Sequence, residues 1–150
     1  MPQTLSKVYV HITFSTKNRL PVIDDSIKTS LWEYIGGICK RLECNPIRIG
    51  GHNDHVHICC LLSKKISIMN LLEEIKKQSS KWIKTKSHQY SQFYWQDGYS
   101  IFSINPVELD IVVRYIDTQE EHHKKRTFKE ELLAFLKKHK FEYDETYLWN

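Results

Sequence analysis

The chain has 150 residues, 41% of them hydrophobic and 27% charged, with a net charge of +4. That length suits one domain able to bury about 68–70% of its unfolded surface, and that composition excludes a disordered tail. The longest unbroken apolar stretch, Ile58 to Leu62, falls far short of the roughly 20 residues that span a bilayer, and Met1 to Thr4 lacks a basic-then-apolar leader, so the expectation is a soluble cytoplasmic protein with no membrane partner.

Lys7 to Ser15 alternates, with Val8, Val10, Ile12 and Phe14 on one side and Tyr9, His11 and Thr13 on the other, which predicts a strand with one face on a core. Asp24 to Leu42 spaces Ile27, Leu31, Ile35, Ile38 and Leu42 as a helix, capped by Asp24 or Asp25. Pro46 to Gly50 predicts a short strand broken at Gly50-Gly51, and His55 to Leu62 a second strand paired with it. Ser67 to about Lys84 is again helical, followed by an aromatic loop from Ser87 to Gly98 that carries Tyr90, Phe93, Tyr94 and Trp95. Tyr99 to Ile104 alternates as a fourth strand. Asn105 as N-cap, Pro106 at the first helical position and Glu108 closing a capping box start a helix that runs to about His122. Thr127 to Glu130 repeats that logic for a last helix through Lys138, whose Leu132, Leu133, Phe135 and Leu136 form a packing stripe.

The order β-α-β-β-α-β plus C-terminal helices describes an α+β protein: a ferredoxin-like, RRM-like split βαβ sandwich with an antiparallel sheet, helices on one face and an open face on the other. The whole of 1–150 reads as one domain, with its core at about 5–123 and a C-terminal helix and tail at 124–150.

His55 and His57 share one face of the third strand, about 6.6–6.8 Å apart at Cα, while Val56 anchors the other face. Tyr115 and Gln119 stand one helical turn apart on the helix after the fourth strand. A phenol with a pKa near 10 attacks phosphorus poorly, whereas a divalent cation held by two imidazoles and an amide oxygen can polarise a phosphodiester and absorb charge on its leaving oxygen. That mixed donor set suits Mg²⁺ or Mn²⁺.

These residues resemble the single-tyrosine HUH transposases of the insertion-sequence 200/605 type. His55-Val56-His57 matches the HUH motif and Tyr115 with Gln119 the Y-x-x-x-Q helix. Around them, His11 to Arg19, Trp95 to Tyr99 and Glu120 to Lys125 fall where that family has its flanking motifs, so the resemblance covers nearly the whole chain. It implies a DNA transposase that cleaves and rejoins single-stranded DNA with hairpin-forming ends. Tyr115 is then the nucleophile of a 5′-phosphotyrosine intermediate, and His55, His57 and Gln119 are the metal ligands. It also implies a homodimer, because each chain has one tyrosine and excision joins two cleaved ends. A relative acting on dispersed repeat palindromes, a non-cutting RRM-like module that binds single-stranded nucleic acid, and a replication-initiator nuclease are the alternative readings. The last is disfavoured by size.

Asp54, His122 and His11 are candidates for orienting a histidine or touching DNA. Lys76, Lys77, Lys81, Lys84 and Arg114 are candidate phosphate contacts, set against the plainer reading of a solvated helix face. The loop aromatics are candidates for stacking on unpaired bases. A zinc site of His55, His57 and Cys59 is the rival metal reading, but three ligands in line on one strand spread over about 13 Å. The four cysteines, Cys39, Cys44, Cys59 and Cys60, lack CxxC spacing and read as reduced, buried thiols.

Overall fold

The structure, a computed structural model, describes residues 3–144 and 148–149. Its four strands are β1 (Tyr9–Ser15), β2 (Pro46–His52), β3 (His55–Leu61) and β4 (Ser100–Ile104). They form one sheet in the order β2-β3-β1-β4, and every neighbouring pair is antiparallel. Helices α1 (Asp25–Arg41) and α2 (Ile68–Lys84) are the two crossovers. This is the split βαβ sandwich that the element order predicts.

Both crossover helices start where a side chain satisfies an orphan backbone donor. Asp24 accepts from the Ser26 N–H at the head of α1, and Ser67 accepts from the Asn70 N–H at the head of α2. Val10, Ile12 and Phe14 of β1 and Val56, Ile58 and Cys60 of β3 point at these helices, where they pack with Leu31, Ile35, Leu71 and Ile75. The aromatic loop joins this core. Tyr90, Phe93 and Trp95 are buried in it, the Tyr90 hydroxyl donates to Asp24, and only Tyr94 is exposed to stack on anything else. All four cysteines are free and buried. Among the described residues no helix is long and apolar enough to cross a membrane.

Three expectations need correction. The second sheet face is not open: α3 (Leu109–Asp117), α4 (Gln119–His122) and α5 (Phe128–Lys138) cover it. The single helix expected from Asn105 to His122 is three pieces. Asn105 caps the Val107 N–H at the start of a 3-10 turn, Pro106–Glu108, and Thr118, at φ −105° and ψ 22°, separates α3 from α4. Finally, β2 is not broken at Gly50-Gly51 but runs on to His52. The absence of side chains there serves close approach. A Cβ on Gly50 would stand 2.8 Å from Ile116 Cγ2, and one on Gly51 would stand 2.3 Å from the His55 carbonyl oxygen.

Candidate active site

The bare backbone of Gly50 lets α3 lie directly on β2, and this seats Tyr115 and Gln119 over β3. The β1–β3 register sets Ser15 opposite His55, Thr13 opposite His57 and His11 opposite Cys59. Residues directly opposite share a face. His11, His55 and His57 therefore project together, beneath α3, α4 and α5.

His55 and His57 are completely buried, so their bonds can be followed group by group. His55 Nδ1 lies 2.7 Å from Asp54 Oδ1, a carboxylate that can only accept, and a neutral ring that donates there offers Nε2 as an acceptor. That Nε2 lies 2.9 Å from Gln119 Oε1, and the Gln119 amide is oriented by its Nε2, which donates to the Tyr115 carbonyl. With the His55 proton on Nδ1, His55 Nε2 and Gln119 Oε1 present lone pairs to one another, an arrangement that a cation would satisfy. Glu131, from α5, brings a carboxylate to the same point: its Oε1 is 2.9 Å from His57 Nε2 and 3.7 Å from His55 Nε2. Neighbouring ligands bound at about 2.1 Å stand roughly 3.0 Å apart in an octahedron and about 3.4 Å apart in a tetrahedron. These separations are close to those of neighbouring ligands, and His55, His57 and Glu131, whose ligand atoms all lie within 4.8 Å of one another, could hold a divalent cation with Gln119 Oε1 beside them.

Two further histidines support this group. His11 Nε2 is 2.8 Å from His57 Nδ1. His123 Nε2 is 3.0 Å from Gln119 Oε1 and 3.1 Å from Glu131 Oε2, a donor shared by two acceptors. Burial opposes a charged Glu131, but hydrogen bonds from His123 and His57 outweigh it and hold the carboxyl far below the usual range. Burial, with the neighbouring His57, lowers His11 to about 3, so it is neutral. Burial also lowers His57, against the pull of Glu131, so the ring is neutral; while its Nε2 donates to Glu131, ligation would require its proton to move to Nδ1.

Tyr115 lies beside the histidines of its own chain, its ring centroid 5.7 Å from His57 and 6.3 Å from His11. The hydroxyl is buried and makes no hydrogen bond of acceptable geometry. Burial and the nearby Glu131 carboxylate push the phenol well above its ordinary pKa. His122 packs against the ring at 4.6 Å and bonds to the Thr118 hydroxyl.

The remaining candidates separate by layer. Arg114 lines a groove of about 720 Å³ beside Tyr115, together with His122, Lys124, Lys125 and Arg126. Lys77, Lys81 and Lys84 belong to α2, behind the opposite sheet face, and are not brought to the histidines. Lys76 is there too, and its expected role as a phosphate contact does not fit. Its ammonium donates to the carbonyls of Gln96, Asp97 and Gly98 at 2.7–2.9 Å, which uses all three donors to tie down that loop. Cys59 packs against Ile104 and Ile116, and burial pushes its thiol up to about 11, which disfavours the thiolate a zinc site needs.

Two residues of the site, Glu131 and His123, are not among the candidates drawn from motif and spacing. Both carry a signal. Phe128, Glu131, Leu132, Phe135 and Leu136 follow the i, i+3, i+4, i+7, i+8 pattern, so Glu131 is an acid on an apolar stripe. His123 continues the Tyr115 and Gln119 series at i+8.

A ferredoxin-like sheet that carries a metal-ready histidine pair with a tyrosine beside it defines the class. The family model "Transposase IS200 like" matches residues 4–119, and the chain belongs to that family. Two solved structures share the fold. One is a Deinococcus radiodurans protein provisionally assigned as a transposase (TM-score 0.62, 17% identity), with 79% of this chain and 95% of that one covered. The other is a REP-associated tyrosine transposase bound to a REP hairpin (TM-score 0.57, 18% identity), with 82% of this chain and 72% of that one covered. A comparison with curated proteins finds no match.

Proposed function

We propose that this transposase cuts and rejoins single-stranded DNA through Tyr115, with Mg²⁺ or Mn²⁺ held by His55, His57 and Gln119. The observation that carries the reading is the convergence of the buried ligand atoms of His55, His57, Gln119 and Glu131 beside the Tyr115 ring. A cation at that point supplies Lewis-acid polarisation of the scissile phosphate and relief of charge on the leaving oxygen.

The side chains divide the remaining work. Asp54 keeps the His55 proton on Nδ1 and so keeps Nε2 available for ligation. For His57 to offer Nε2, its proton must sit on Nδ1, where His11 Nε2 is in place to accept it. Tyr115 Oη attacks phosphorus: the tyrosyl O–P bond forms as the P–O3′ bond breaks, the phenol proton passes to solvent, and the departing 3′ oxygen takes one up. The product is a 5′-phosphotyrosine and a free 3′-hydroxyl. A second 3′-hydroxyl then attacks that linkage, loses its proton and releases Tyr115. Because excision joins two cleaved ends and each chain has one Tyr115, the working form is a homodimer. The groove lined by Arg114, Lys124, Lys125 and Arg126 offers cations to the DNA backbone next to the nucleophile. Similarity to a transposase bound to a REP hairpin supports hairpin-bearing single strands as the substrate class.

The test is a covalent adduct. Hairpin-bearing single-stranded oligonucleotides, one set from element ends and one from dispersed palindromes, are incubated with the protein and Mg²⁺ or Mn²⁺. A protein–DNA adduct on a denaturing gel, absent in Tyr115→Phe and with EDTA, is expected, and the set that reacts identifies the substrate source. An adduct that survives Tyr115→Phe overturns the assignment of the nucleophile. Tight single-strand binding without any adduct, with the element's own ends present, turns the reading toward a non-cutting binding module.

A further inference from the structure

The histidines that a phosphodiester must approach are completely buried, and α5 covers them together with α3 and α4. Phe128 stacks on His55 at 4.6 Å between ring centroids, and Phe135 meets Tyr115 edge-on at 5.4 Å and His11 at 5.5 Å. Between these two aromatics, one turn from each, Glu131 pushes its carboxylate to the point where His57 and His123 donate and His55 and Tyr115 lie near. An anionic oxygen there, within reach of the metal-ligating histidines and beside the nucleophile, has the chemistry of a phosphate oxygen. Were Glu131 to remain as a ligand beside His55, His57 and Gln119, the protein would supply four, whereas a catalytic metal needs an open position for its substrate.

The way α5 is held also differs from the rest of the fold. Phe128, Leu132 and Leu136 pack with Phe102, Leu148 and Trp149 in a small cluster separate from the main core. Lys124 to Arg126 form a solvent-facing link to α4. A short helix on its own satellite cluster opens at lower cost than the sheet beneath it. The exchange also preserves charge: a phosphate that takes the carboxylate's place leaves His57 and His123 with an anionic partner, so no buried charge is stranded.

We infer that α5 is a displaceable cover and that the Glu131 carboxylate holds the place of the scissile phosphate until single-stranded DNA evicts it. The inference rests on the transposase reading above for the identity of the evicting phosphate.

Hydrogen exchange tests it without cleavage. Tyr115→Phe, saturated with Mn²⁺, is compared with and without an excess of a mixed-sequence single-stranded 40-mer, with binding followed separately by fluorescence anisotropy. Peptides covering Thr127 to Lys138 exchange about tenfold faster when DNA is bound, while β1 and β3 stay protected. Unchanged or increased protection of that helix in the DNA-bound protein overturns the inference. In the otherwise native chain, Leu136→Ala loosens the cover without touching the metal-ready group and speeds adduct formation about tenfold. Glu131→Gln speeds it too. Loss of both adduct formation and equilibrium Mn²⁺ binding in Glu131→Gln would make Glu131 a resident ligand and overturn the placeholder role. Release of α5 by DNA with no adduct in any variant would sink the tyrosine chemistry and leave the cover standing.

Discussion

On the face covered by α1 and α2, β1 and β3 contribute Val10, Ile12, Phe14, Val56, Ile58 and Cys60, and the side chains there are packed and almost wholly apolar. One residue out of step, the same two strands contribute His11, Thr13, His55 and His57 to the other face, where the buried polar groups hydrogen-bond to one another, to the backbone and to Asp54 and Glu131. Period-two geometry lets a single pair of strands run both programmes without mixing them. The apolar face carries the stability, at about 25 cal/mol per Å² of buried apolar surface. The polar face gains little net stability, since each satisfied buried bond contributes only about 0.5–1.5 kcal/mol. Its groups are therefore free to be selected for chemistry.

The sharpest test of that division is Tyr115→Phe. The hydroxyl has no hydrogen bond to lose, so removing it should abolish the covalent DNA adduct altogether while the thermal midpoint stays within a few degrees of the parent or rises. A large loss of stability would mean that the hydroxyl holds the fold, and the two faces would not be independent. The converse substitution is Leu31→Ala on the apolar side, fully buried in the main core. It should cost about 2–5 kcal/mol in urea unfolding while the surviving folded fraction binds Mn²⁺ with unchanged affinity.

The same contrast explains what can be read from the sequence. Alternation in β1 and β3, the cap at Asp24 and the capping box at Thr127 and Glu130 are local signals, and each is found in the structure where the pattern places it. His55, His57, Tyr115 and Gln119 are legible as spaced pairs on predicted elements. Glu131 is not, because its role depends on where α5 docks, and local spacing does not encode docking. Gly50-Gly51 misleads for a related reason. Glycine pairs punctuate strands on average, but here the missing side chains make room for Ile116 and for the His55 carbonyl of the neighbouring strand. Lys76 misleads because a lysine in a basic run looks solvated until the loop it ties is known.

Acid should attack the polar face first. His11 sits at about 3 in the fold, against about 6.5 when unfolded, so between those values the unfolded chain binds a proton that the folded chain refuses. Stability therefore falls as pH drops from 6.5 toward 3, by about 1.4 kcal/mol per pH unit at most from this residue. Asp54 and Glu131, both held below their ordinary values, add to the loss once their unfolded forms begin to protonate near pH 4 to 4.5. Urea titrations of the metal-free protein from pH 7 to 4 check this. His11→Asn should flatten the upper part of the slope, and a profile left unchanged by that substitution would remove His11 from the account.

The smallest expected effect separates the two faces by charge rather than by packing. Arg114 lines the groove at Tyr115, whereas Lys81 is exposed on α2, behind the opposite face. Each cation that neutralises a phosphate of a single strand adds about 0.7 to the steepness of log affinity against log salt. Arg114→Ala should therefore flatten the salt dependence of binding to a single-stranded oligonucleotide by about that amount, whatever its sequence. Lys81→Ala should leave the slope where it was. Each substitution changes the net charge by one, so a general field effect would move the two slopes together. Only a local phosphate interaction moves one of them, and an equal shift in both would mean that DNA reaches across the α2 side as well.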